Sequence, residues 1–83
     1  MQPMSTAQKL LDAMANNPRD WSIEQVLTVA RHAGLSVRCP GGSHHILRNA
    51  AGRKISVPAH RPVKAVYIKA LLRLIHDGQG DEE

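Results

Sequence analysis

The spacing of apolar residues changes twice along this chain, and that change limits its fold more than any other feature. Ala7, Leu10, Leu11 and Met14 recur at the three- and four-residue steps of a helix face, as do Ile23, Val26, Leu27, Ala30 and Ala33. From Leu35 the pattern turns to alternation, Leu35-Ser36-Val37-Arg38-Cys39, the period of a half-buried strand. After Val63 it returns to helical spacing through Val66, Tyr67, Ala70, Leu71, Leu74 and Ile75. A chain of 83 residues has room for one domain, so helices and strands must share a single core.

Turn and cap residues divide these segments. Ser5 followed by Gln8, and Ser22 followed by Gln25, both have the spacing of a capping box, in which each side chain satisfies the other's orphan backbone N–H. The first helix is predicted over 6–15, closed by Asn16-Asn17-Pro18, because the residue before a proline is pushed out of helical geometry. The second is predicted over 22–33, with Trp21 and Val26 placed to form a hydrophobic staple and Gly34 as its stop. Pro40-Gly41-Gly42 reads as a turn, 43–49 and 53–57 as strands, and Asn49-Ala50-Ala51-Gly52 as the loop between them. Residues 59–64 form a linker to a last helix, and 79–83 an acidic, frayed tail.

The resulting order, α-α-β-β-β-α, predicts an α+β fold: a three-stranded antiparallel sheet with helices on one face and the other face open. Residues 1–20 read as an extra N-terminal helix, 21–77 as the main domain and 78–83 as a disordered tail. Aromatic residues are 2% of the chain, so aliphatic side chains must fill the core: Leu10, Leu11, Ile23, Val26, Leu27, Ile46, Leu47, Ile55, Val57, Leu71 and Ile75. The apolar runs are too short to span a bilayer, and Lys9 and Asp12 interrupt any signal peptide. One cysteine, Cys39, cannot form an internal disulfide. The expectation is a cytoplasmic protein, not a secreted scaffold, a membrane protein or a multidomain enzyme.

Charge is distributed unevenly. Residues 25–76 hold Arg31, Arg38, Arg48, Arg53, Lys54, Arg61, Lys64, Lys69 and Arg73, together with all 5 histidines, and no Asp or Glu. Such a stretch points to a polyanionic partner, against the plainer reading of a solvated basic surface. With only Trp21 and Tyr67 as aromatics, base stacking on exposed rings is not expected, and contacts should lean on phosphates.

Gly41-Gly42-Ser43-His44-His45-Ile46 is the segment richest in possible chemistry. Glycines let the backbone turn tightly and approach a phosphate. A histidine beside them exchanges protons near neutral pH, its ordinary pKa being about 6.5. RNA carries its own nucleophile, the 2′-hydroxyl, so one positioned base with cations to stabilise the phosphorane suffices for cleavage. Taken alone, the segment reads more simply as a turn followed by a strand with incidental histidines. Metal chemistry is not expected. Cys39, His44, His45 and His60 lack zinc-pair spacing, adjacent strand histidines point to opposite faces, and 25–76 offers no carboxylate to a hard ion. The first two helices also allow a helix-turn-helix, although 22–33 offers chiefly Arg31 and His32 to read bases.

Gly42-Ser43-His44-His45-Ile46, then Arg48, Gly52, the run Ile55-Ser56-Val57-Pro58-Ala59-His60, Lys64 and the final amphipathic helix together resemble the HicA family of toxins. The resemblance covers about residues 22–76. It implies a double-stranded-RNA-binding-domain-like fold of order α-β-β-β-α, and a small ribonuclease that cleaves mRNA without a metal or other cofactor. It also implies neutralisation by a HicB-type antitoxin covering the active site. His44 takes the place of the family's catalytic histidine and Gly42 that of the glycine before it; Ser43 would help position the ring. Arg48, Arg53, Lys54 and Lys64 are the candidates for gripping phosphates. Two features depart from the family: the helix before residue 21, and a last helix opening Ala65-Val66-Tyr67-Ile68 where many members have a Gly-Thr-Leu-like start. His60 receives no role. The alternatives are a non-catalytic RNA-binding module on the same fold and, third, a DNA-binding regulator.

Overall fold

In the computed structural model, which describes residues 6–59 and 62–78, the order is α1 (Thr6–Asn16), α2 (Ile23–His32), β1 (Ser36–Arg38), β2 (His44–Arg48), β3 (Lys54–Pro58) and α3 (Ala65–Gly78). The first capping box rests on Ser5, and that residue, His60 and the acidic tail of 79–83 lie outside the described residues. The described residues form a small α+β domain with three helices and one antiparallel sheet of order β1-β2-β3. Among the described residues no helix is long and apolar enough to cross a membrane.

Both ends of α2 form as local chemistry dictates. Ser22 is extended, with φ −88° and ψ 159°. Its Oγ accepts the Gln25 backbone N–H at 3.2 Å, and its own N–H donates to Gln25 Oε1 at 2.9 Å, completing the capping box. At the other end the Gly34 N–H donates to the Arg31 carbonyl at 3.1 Å and the Leu35 N–H to the Ala30 carbonyl at 2.9 Å. That is the paired bonding of a Schellman motif, and Gly34 sits at φ +82°, where a side chain would be strained. Leu35, counted with the first strand in the sequence pattern, is instead the buried residue that closes this cap, so β1 begins one residue later.

The sheet's two faces separate cleanly. Val37, Leu47 and Ile55 stand opposite one another across the three strands, and His45 stands opposite Val57. These point toward the helices; Leu47 and Val57 are fully buried. α2 packs against β1, α3 against β3, and α1 lies across α2 and α3. Met14 of α1 is fully buried with Val26, Val29, Leu47, Val57, Ile68 and Leu71, so the N-terminal helix contributes to the same core. Val63 joins it from the linker, where its N–H donates to the Trp21 carbonyl at 2.7 Å.

Three expectations about side chains are corrected. Ile46 is not a core residue: Leu47 faces inward, and the two-residue period of a strand then turns Ile46 to the open face. In α3 the buried stripe is Ile68, Leu71, Leu74 and Ile75, while Val66 is 63% exposed. Val66 falls on the exposed side that Lys69, Arg73 and His76 mark at helical spacing, so the polar stripe and not the apolar count sets which side turns inward. Cys39 leaves β1 and is exposed, its carbonyl accepting the Gly42 N–H at 3.4 Å to close the turn before β2.

Candidate functional site

Four turn residues, Cys39 to Gly42, deliver the chain into β2, and Gly42 adopts φ +80° on the way. In that left-handed region a residue with a Cβ is strained even though nothing crowds the position. Ser43 follows, exposed, with its carbonyl accepting the Ala59 N–H at 3.0 Å, so the start of β2 is tied to the end of β3. His44 is the first residue of β2 and stands opposite Pro58. Its ring is exposed, and its Nδ1 lies 3.2 Å from Ser43 Oγ. A hydrogen bond there holds the imidazole by one nitrogen and leaves Nε2 for solvent or substrate. If Nδ1 carries the proton and donates to Oγ, Nε2 has the free lone pair of a base.

His45 does something different. It turns to the helix side, is half-buried, and has an Nδ1 shielded from solvent with no hydrogen-bond partner. The two adjacent histidines are therefore separated by the sheet itself.

The open face carries a regular array. Ser36, Arg48 and Lys54 form one row across the three strands, and Arg38, Ile46 and Ser56 form the next. His44 and Pro58 follow, where β1 has already ended. Arg38, Arg48 and Lys54 are exposed, and with Ser36 and Ile46 they line one shallow hollow. No carboxylate occurs in the three strands or the turns between them, and among the described residues none of these three cations has an ion-pair partner.

The structure brings together four of the residues singled out in the sequence, Ser43, His44, Arg48 and Lys54, with Gly42 shaping the turn that introduces them. Two others stand apart. Arg53 sits in the β2–β3 turn and directs a guanidinium nitrogen to 3.6 Å from an Asp77 carboxylate oxygen at the end of α3. Lys64 immediately precedes α3, on an exposed position away from the strand rows, and its carbonyl accepts the Tyr67 N–H at 2.9 Å. Arg38 was not among the phosphate candidates, yet it stands on the open face, at the end of the edge strand β1. Its place in the alternation, two after Ser36 and next to inward-facing Val37, is the signal that would have found it.

Among the described residues, no three of His, Cys, Asp and Glu come together as a metal-binding group. Compared with protein-family models, with curated proteins and with solved structures, the chain finds no match in any of the three.

Proposed function

We propose that this protein is a metal-independent endoribonuclease of the HicA type, an mRNA-cleaving toxin of a toxin–antitoxin pair. Its domain is read as double-stranded-RNA-binding-domain-like, since α2-β1-β2-β3-α3 follows that order with α1 added in front. The observation that carries the reading is the exposed imidazole of His44, held at Nδ1 beside Ser43 on the same sheet face as three exposed cations.

The chemistry follows from those groups. His44 Nε2 takes the proton of an RNA 2′-hydroxyl, and the 2′-oxygen forms a bond to the adjacent phosphorus. The bond from phosphorus to the 5′-oxygen breaks, and that oxygen takes a proton from water; the hydroxide so left takes the proton from the His44 imidazolium and restores the base. The products are a 2′,3′-cyclic phosphate and a free 5′-hydroxyl; nothing is oxidised or reduced. Cations beside the phosphate stabilise the charge on its oxygens as the phosphorane forms. A HicB-type antitoxin would silence the enzyme by covering the open face, and the working compartment would be the cytoplasm.

The direct test uses one oligonucleotide in two forms, all-ribose and 2′-deoxy, incubated with the full chain in excess EDTA. The ribose form is expected to be cut to cyclic-phosphate ends and the deoxy form to stay intact. Cutting of the deoxy form, or loss of cutting on chelation, would overturn the mechanism.

A second expectation concerns affinity. Cations that neutralise phosphates release condensed counterions, so RNA binding should weaken as salt rises, with a log–log slope of about −0.7 per contact on single strands. Replacing both Arg48 and Lys54 with Gln should flatten the slope by about 1.4, measured by fluorescence anisotropy across a salt series. An unchanged slope would mean that these two side chains touch no phosphate.

A further inference from the structure

We infer that Arg38 is a second catalytic residue of this site, the cation that bears on the phosphate undergoing attack, while Arg48 and Lys54 hold phosphates further along the strand. The inference rests on the ribonuclease reading above and assigns a role that the reading does not contain.

The strand register carries the argument. Arg38 is directly opposite Ile46. His44 lies two residues from Ile46 on the same face of β2, which makes it the diagonal neighbour of Arg38. Diagonal neighbours in an antiparallel pair are roughly 7–8 Å apart, within reach of a long side chain. Arg48 is four residues from His44 along β2, roughly 13 Å at the rise of a strand, and Lys54 stands beside Arg48 on the far strand. Of the basic residues in the strands, Arg38 is therefore the one whose guanidinium can meet the same phosphate as the His44 imidazole. Arg53 is directed to Asp77 at the end of α3, and Lys64 lies outside the strands.

Local structure favours that use. Arg38 is the last residue of β1, and the Cys39–Gly42 turn that follows leads straight to Ser43 and His44, so Arg38 and His44 stand at the two ends of one short connection. Ile46 between them gives the arginine stem an apolar surface to lie on. A guanidinium presents paired N–H donors in a plane, matching two non-bridging oxygens of one phosphate. As the 2′-oxygen bonds to phosphorus, negative charge grows on those oxygens, and donors already aimed at them stabilise the transition state more than bound RNA.

That difference separates a catalytic arginine from one that merely binds. The experiment measures affinity and single-turnover cleavage of one fluorescent single-stranded RNA by the full-length protein and its Arg38→Gln, Arg38→Lys, Arg48→Gln and His44→Ala variants. For Arg38→Gln the cleavage rate at saturating protein is expected to fall about 100-fold or more, with affinity changed by less than about threefold. Arg38→Lys, which keeps the charge and loses the planar fork, is expected to recover part of that rate. Arg48→Gln should lose more affinity than Arg38→Gln does and less cleavage rate on saturated RNA, the reverse of the Arg38 pattern. Because Arg38 is exposed, circular dichroism should show all these variants folded. An Arg38→Gln protein that cuts saturated RNA at the unaltered rate, beside a His44→Ala protein that does not cut, overturns the assignment and leaves the ribonuclease reading standing. If His44→Ala cuts as fast as the unaltered chain, the ribonuclease reading itself falls, and the assignment with it.

Discussion

His44→Ala is expected to keep its fold and to lose RNA cleavage by about 10²–10⁴-fold, the usual contribution of one positioned acid or base. The side chain is exposed and contacts Ser43 alone through hydrogen bonding, so its removal leaves no cavity. Rate should be read under single-turnover conditions, where slow product release cannot mask the chemical step. His45→Ala, one residue on, should give the reverse: cleavage within about tenfold of the unaltered chain, with a lower thermal midpoint because a half-buried ring leaves the core. If the two variants lose cleavage equally while both remain folded, the sheet does not separate their roles in the way described.

The largest effect on stability is expected at Asn49, a residue of the β2–β3 turn that is 5% exposed. Its Nδ2 donates to the Leu74 carbonyl in α3 at 3.0 Å, and its Oδ1 accepts the Arg53 N–H at 3.0 Å. One amide thus fastens the tip of the hairpin to the last helix. Alanine there removes both bonds and leaves a buried carbonyl without its donor, at about 1–3 kcal/mol for each group stranded. Asn49→Ala should therefore cost about 2–4 kcal/mol, a large share of what so small a domain possesses. The thermal midpoint should fall on the order of 10–20 °C. Asn49→Asp separates the two bonds. It keeps an acceptor for Arg53 but sets a carboxylate against the helix carbonyl, so it should be at least as unstable as alanine. Urea unfolding of the three proteins decides this; an Asp variant as stable as Asn would show that the bond to Leu74 contributes nothing.

Element order was legible because its causes are local. Ser22 with Gln25, Gly34, Pro40-Gly41-Gly42 and Asn49 to Gly52 each specify a cap or turn from a few neighbouring residues, and all of these stand where expected. The inward stripe of α3 was legible only through its polar residues. Counting apolar positions groups Val66 with the core, whereas Lys69 and Arg73, three and seven residues on along the same exposed side, turn Val66 outward and leave Ile68 to be buried. Asn49 was visible as a turn residue but not as a tie to Leu74, since nothing local announces a partner 25 positions away. At the candidate site, Ser43 beside His44 was readable from adjacency. Grouping Arg38 with Arg48 and Lys54, and setting Arg53 apart, required strand register, which pairs residues from different segments.

Alternation along β2 also shapes how this protein can vary. Positions 44, 46 and 48 meet solvent and any bound polymer, whereas 45 and 47 meet the helices. Selection for folding and selection for activity thus act on interleaved letters of the same short word. A saturation library screened twice, once for soluble expression and once for growth arrest, would show sensitivity at odd positions in the first screen and at 44 in the second. Positions 46 and 48 can drift without renegotiating the core, but a single-residue insertion in β2 would exchange the inward and outward sets at once.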